Sequence, residues 1–339
     1  MPIPFQKIAA SLQLSENAVR KTIALLEEGA TIPFIARYRK EMTGSLDEVQ
    51  IRDIRDAMEL SIELEKRREA ILKSLKELDK LSPDLERAVR AAETLAKLED
   101  LYLPYKPKRK TRAMAAREKG LQELANALFQ QRNLSPEDLA EKFLDEEKGV
   151  LSLDIALAGA RDILAEEMME KAEAREDARQ LFARKTQVKS KVSKGKQEAG
   201  IKYKDYFDWS ESLAQAPSHR VLALFRGENE GVLTLALEGP DNDVLDRLER
   251  RFLTGRNACA DQVELAIQDG YKRLLQPAME TEMRAEAKKR ADEEAIRVFA
   301  ENVRQLLLAA PLGQKRILSL DPGFRTGCKL VYLDEQGNL

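Results

Sequence analysis

Apolar residues recur at helical spacing along most of the chain. From Pro277 to Ala310, Met279, Met283, Ala287, Ala291 and Ala295 repeat every four residues, and Phe299, Val303 and Leu307 extend the stripe. Pro277 suits a first helical turn, where its missing N–H costs nothing. Unbroken, such a helix spans about 50 Å, so the segment reads as a spine for other elements to pack around. Near the N-terminus, Phe5, Ile8 and Leu12 share one helical face, Leu14-Ser15 reads as turn and cap, and Val19, Ile23 and Leu26 mark a second helix. The spacing of Ala9, Leu14, Val19 and Ile23 resembles a helix-turn-helix with Arg20 and Lys21 on its outer face, though a structural helix pair gives the same pattern.

Caps place further helices. Ser45-Leu-Asp-Glu48 reads as a capping box opening a helix to about Leu78. Ser82-Pro83 opens one with Leu85, Val89, Ala92 and Leu95 inward, ending near Leu101–Pro104. Ser135-Pro136, Ser152 and Pro217-Ser218 open others. Strict alternation appears only in Gly231–Glu238, GVLTLALE, a strand candidate followed by a Gly239-Pro240 turn. Near the end, Ile317, Leu318 and Leu320 read as a buried strand broken by Asp321-Pro322-Gly323, and Gly327–Leu333 as a second strand. The fold class is therefore mainly α, a multi-helix body with a small β element and a terminal hairpin. Its expected domains are residues 1–78, 79–230, 231–310 and 311–339.

Composition narrows the chemistry. Of 339 residues, 34 % are charged and only 5 % aromatic, as long helices with solvated faces require, and the net charge is −2, so only local clusters could attract nucleic acid. Two cysteines and one histidine exclude a Cys/His zinc site and a disulfide framework, pointing to a reducing, cytoplasmic setting. No signal peptide is apparent, and no apolar run is long enough to span a membrane.

Two basic clusters stand out. Lys106, Lys108, Arg109, Lys110 and Arg112, followed by Arg117 and Lys119, face one acid, Glu118, in a stretch that reads as loop before helix. Lys189, Lys191, Lys194, Lys196, Lys202 and Lys204 follow Arg184 and Lys185 and lead into Tyr203, Tyr206, Phe207 and Trp209. Cations beside aromatics suit phosphate contact with base stacking; a solvated face with its aromatics in the core is the structural alternative. In Gly29–Gly44, Arg37, Arg39 and Lys40 crowd beside Tyr38. Asp321, at the expected strand end beside glycine, has the setting of an RNase H-like metal ligand, of a phosphate-binding turn, or of a plain hairpin turn. One aspartate cannot hold two metals, so the sequence is expected to end just inside a domain.

The stretches IPFIARYRKEMTGSLDE (32–48), LEDLYLPYKPKRKTRAMAAREKGL (98–121), PSHRVLALFRGENEG (217–231) and LSLDPGFRTGCKLVYLD (318–334) resemble the Tex family of bacterial transcription accessory proteins. The resemblance extends along the whole chain, and Tex is itself similar to a eukaryotic elongation factor that chaperones histones. It implies a helical region with a helix-turn-helix-like unit wound around a long central helix, then the first hairpin of a YqgF-type RNase H-like domain. The family's helix-hairpin-helix elements and S1 domain are missing from this sequence. Asp321, Gly323, Thr326 and Gly327 match the first motif of the RNase H-like domain, with Asp321 as its first carboxylate and Mg²⁺ as cofactor only if that domain is active. The implied function is a non-sequence-specific scaffold for RNA or single-stranded nucleic acid, leaning away from an enzyme. The alternatives are a metal-dependent nuclease or resolvase, and a platform docking RNA polymerase or the ribosome.

Overall fold

The computed structural model describes residues 4–107, 109–323 and 327–339. The expected class holds: the chain is mainly α, with small antiparallel β elements. It forms two compact units, residues 1–186 with 238–282, and residues 187–237 with 283–339.

In the first unit the helices Phe5–Leu12, Glu16–Glu27 and Ile32–Tyr38 pack on the start of the Glu48–Glu77 helix. Ile8, Val19, Ile23, Ile35, Ile51 and Ile54 form their shared core. Ser15 caps the second helix, its Oγ accepting the Ala18 N–H at 3.2 Å. Arg20 lies 4.4 Å from the Phe5 ring and pairs with Glu16 at 2.8 Å, so its guanidinium, exposed on the outer face as expected, already has partners on both helices.

The long helix starts where expected, but Ser45 is not its cap. Ser45 has φ +66°, whereas a cap needs extended backbone. Asp47 has that geometry: its Oδ1 accepts the Gln50 N–H at 2.8 Å, and Gln50 Oε1 accepts the Asp47 N–H at 3.1 Å. The helix expected from Ser82 to Pro104 is two helices, Pro83–Ala91 and Leu95–Tyr102. Ala92 is extended and Thr94 caps the second helix. Arg68 donates to the carbonyls of Val89 (3.2 Å) and Ala92 (2.8 Å) at the end of the first helix, which stabilises the break.

Further on, the Leu153–Met169 and Ala258–Gly270 helices cross closely. A Cβ at Gly270 would lie 2.9 Å from Met169 Cγ and 3.1 Å from Ala165 Cβ, so glycine sets this approach. The Gln276–Leu307 helix matches the expected spine, but Pro277 does not start the helical run. Tyr271–Leu275 already form a π-helical turn ahead of it. Proline supplies no N–H for a regular turn, and the wider turn accommodates the loss. The apolar stripe is buried only at Met279, Met283, Ala287 and Ala291; Phe299 and Leu307 are 69 % and 79 % exposed. The spine is thus packed along its first half alone.

Asp177 illustrates how charge holds the first unit. Its carboxylate accepts from Arg251 Nε at 3.0 Å and Arg247 Nη2 at 3.2 Å. Burial opposes its charge, but the two guanidiniums outweigh burial and hold the carboxyl below the usual carboxylate range. A depressed carboxyl adds stability at neutral pH that is lost as pH falls through its folded-state value. Asp177→Asn is therefore expected to lower the urea midpoint at pH 7. The gap to the unsubstituted chain should narrow and close as pH falls below the ordinary carboxylate range, and a gap independent of pH would contradict this assignment.

The second unit contains a three-stranded sheet of β1 (Gln187–Val192), β2 (Asp208–Ser212) and β3 (Leu233–Glu238), in the order β2-β1-β3. β3 is the strand expected from alternation; β1 and β2 were not legible. The Ser218–Asn229 helix supplies buried Val221, Leu224 and Phe225 to this unit. From the long helix, Arg290 donates to the carbonyls of Leu213 (2.8 Å) and Ala214 (3.1 Å), and Arg284 pairs with Glu228. β4 (Ile317–Gly323) and β5 (Gly327–Leu333) form an antiparallel hairpin whose Leu318, Leu320, Leu330 and Tyr332 are exposed. The buried strand expected at Ile317–Leu320 is thus an exposed one.

Candidate nucleic-acid interface

β1 reads QVKSKV, and strand alternation sorts it into two faces. Val188 and Ser190 are buried, the Ser190 Oγ donating to the Tyr206 carbonyl at 2.7 Å. Lys189 and Lys191 project from the opposite face, where β2 places Ser210 and Asp208 directly across from them. β3 is buried at Leu233, Leu235 and Leu237, leaving Thr234, Ala236 and Glu238 outside. The outer surface of this sheet therefore carries lysines among small side chains and two carboxylates, Asp208 and Glu238. Beyond β1, the Lys196 N–H donates to the Ser193 carbonyl at 3.0 Å, closing a turn around Gly195 at φ +76°. A positive φ there is the reason glycine stands between two exposed lysines, Lys194 and Lys196. Lys204 is exposed as well. Lys202 is engaged instead with Glu230 at 2.7 Å, which holds its ammonium above its ordinary value.

The aromatics beside this cluster turn the other way. Tyr203 is buried, and Trp209 meets Tyr206 edge-on at 6.0 Å with Arg220 at 5.0 Å from its ring. Arg220 also donates to Glu211 at 2.6 Å. Tyr203 and Trp209 thus serve the packing of the second unit, while Tyr206 and Phe207 are half-buried.

The first cluster is partly consumed by the fold. Lys106, Arg109 and Lys110 lie on the connection after Leu103–Tyr105, and Arg112 opens the Arg112–Glu118 helix capped by Thr111. Lys108 lies outside the described residues. Lys110 pairs with Glu118 at 2.5 Å, and Arg117 pairs with Glu166 (2.9 Å) and Glu167 (3.2 Å). Lys106, Arg109 and Arg112 are not buried. Tyr102 is buried, its hydroxyl 2.8 Å from Ser74 Oγ, and Tyr105 packs against the same core.

Asp321 does not end its strand. β4 runs on through Gly323, with Asp321 opposite Lys329 and Pro322 opposite Cys328. Proline is tolerated because this hairpin strand has an unpaired edge. Gly323 faces Gly327, which has φ +80°, and Thr326 lies outside the described residues. Among the described residues, no three His, Cys, Asp or Glu side chains come together as a metal site would need.

Residues 3–76 match the Tex-like protein N-terminal domain, and residues 131–299 match the Tex central region. The chain is 40 % identical to the transcriptional accessory protein Tex of Neisseria gonorrhoeae, over 98 % of this chain and 44 % of that protein. It is 41 % identical to the uncharacterised protein YdcI of Bacillus subtilis, over 98 % of this chain and 47 % of the relative. The chain belongs to the Tex family. It spans about half the length of these curated Tex relatives. Human S1 RNA-binding domain-containing protein 1 is 29 % identical over 92 % of this chain and 32 % of its own length. The lysines of β1 and its turn fall within the matched Tex central region; Lys106–Arg112 and Asp321 fall outside both matches. No helix among the described residues is long and apolar enough to cross a membrane.

Two aromatics are exposed in the Tex N-terminal domain: Tyr38, expected beside Arg37, Arg39 and Lys40, and Phe34, which the sequence did not single out. Phe34 and Tyr38 stand at i, i+4 on the Ile32–Tyr38 helix, 39 % and 66 % exposed, with ring centroids 5.4 Å apart. The signal was present: buried Ile35 and Ala36 leave positions 34 and 38 on the outer face.

Proposed function

We propose that this chain is the helical scaffold of a transcription accessory factor that holds RNA or single-stranded nucleic acid without reading its sequence. The observation that carries this reading is the outer face of β1 and its turn. Lys189, Lys191, Lys194 and Lys196 follow one another along one strand and loop, where they outnumber the two carboxylates of the sheet's outer face, Asp208 and Glu238. Such contacts neutralise phosphates and release counterions, so they give affinity that falls steeply with salt and little discrimination between sequences. The names of the Neisseria and human relatives, a transcriptional accessory protein and an S1 RNA-binding domain-containing protein, accord with it.

The test replaces Lys189, Lys191, Lys194 and Lys196 by glutamate in the whole chain and follows binding of a fluorescein-labelled single-stranded RNA by anisotropy across a salt series. About 0.7 of a unit of log-log salt slope is expected per lost contact, roughly 3 in all, with a loss of affinity of about 100-fold or more at low salt. An unchanged slope and affinity would overturn the reading. Neutralising Lys106, Arg109 and Arg112 in parallel separates the two clusters.

A further inference from the structure

Single-stranded binding needs a flat ring for bases as well as cations for phosphates, and Tyr203, Trp209 and Tyr102 beside the two lysine clusters are occupied by packing. Phe34 and Tyr38 are not. Their helix is anchored underneath by Ile35, which is fully buried, and by Ala36. Arg39 breaks the helix at φ −127°, and its guanidinium folds back to 4.8 Å from the Phe34 centroid. It also donates to the Tyr38 carbonyl at 3.1 Å. One face of Phe34 is thus covered by a cation, while Tyr38 presents its ring to solvent. Arg37 and Lys40 are exposed on either side, Arg37 only 3.9 Å from its nearest carboxylate, Glu48, in a loose, exposed pair.

We propose that Phe34 and Tyr38, framed by Arg37, Arg39 and Lys40, form a stacking platform for single-stranded nucleic acid: a base lies on Tyr38 and the flanking phosphates meet Arg37 and Lys40. The charge argues for this occupant. Three cations fall within four residues of chain around Tyr38, one of them, Arg39, against the Phe34 ring; Glu41 is the only acid between Ile32 and Asp47, and Glu48 pairs loosely with Arg37. An exposed aromatic pair alone would serve a protein groove equally; cations on both sides complement an anionic strand. The proposal rests on the nucleic-acid reading above but on different residues.

The experiment uses the whole chain carrying Tyr38→Ala or Tyr38→Trp, with labelled oligo(U) and a duplex of equal length as probes. Tyr38→Ala should weaken oligo(U) binding about tenfold, leave duplex binding and the salt slope as they were, and leave the thermal midpoint unchanged because the side chain is exposed. Tyr38→Trp should retain binding and show indole quenching on addition of oligo(U). Unchanged oligo(U) binding by Tyr38→Ala, or equal losses on single strand and duplex, would overturn the platform while leaving the lysine face standing. An unsubstituted chain that binds neither probe would overturn both.

Discussion

Replacing Asp100 by alanine is expected to destabilise the first unit by about 3–5 kcal/mol. Asp100 is 4 % exposed and accepts from Arg175 Nε at 2.5 Å and Arg179 Nη2 at 2.6 Å. Arg179 is also paired with Glu282 and with Glu176. Burial alone would lower the Arg179 guanidinium, but Glu282 and Asp100 more than offset it and hold the group above its ordinary value. Without Asp100 two guanidiniums, each about 15 % exposed, lose the carboxylate between them. Their desolvation remains while the attraction that offset it is gone. In a unit of this size the thermal midpoint should fall by roughly 6–20 °C. Glu93→Ala is the control: its pair with Lys7 is more than 70 % exposed at both ends, so no measurable shift of the midpoint is expected. Equal midpoints for the Asp100 and Glu93 variants would show that the buried network contributes no more than a surface pair.

That network marks a limit of sequence reading. Asp100 stands 75 and 79 residues before its partners Arg175 and Arg179, and Arg179 stands 103 before Glu282, so no local pattern links them. What was legible was local. Ser15, Ser82, Ser135 and Ser152 all cap helices as the serines suggested, because a hydroxyl accepting from the N–H three residues on is a short-range device. Alternation found β3, buried on one face. It missed β1, whose buried face is Val188 and a satisfied serine, so that its pattern reads polar throughout. The break at Ala92 was hidden because Ala92 and Leu95 continue the apolar spacing; Thr94 was the signal.

The candidate interface was half legible for the same reason. Charge is visible in composition, so the lysines were found. Their neighbours' orientation is not: the sequence placed Tyr203 and Trp209 beside lysines, and the fold turned them inward. The exposed rings of the chain's first unit, Phe34 and Tyr38, lie within the motif IPFIARYRKE and are pushed outward by the burial of Ile35 and Ala36 between them.

Phe182→Ala is expected to cost about 3–5 kcal/mol, and its coupling to Gly239 gives the sharper prediction. Phe182 is fully buried near the point where the chain leaves the first unit, and its carbonyl accepts the Thr186 N–H (3.0 Å) and Oγ1 (2.6 Å). Gly239 stands where the chain returns, directly against the end of the Phe182 ring. An alanine Cβ there would overlap Phe182 Cζ, and a fully enclosed ring has nowhere to move. Gly239→Ala should therefore destabilise by about 1–3 kcal/mol through overpacking rather than through backbone freedom. The two causes separate in a double substitution. Phe182→Leu removes the ring end that Cβ would strike, so Gly239→Ala should cost at least about 1 kcal/mol less in a chain already carrying Phe182→Leu than in the parent chain. Urea midpoints of the four chains measure this coupling directly. Additive losses would mean that glycine is required at 239 for its backbone alone, and that the ring does not close the return of the chain.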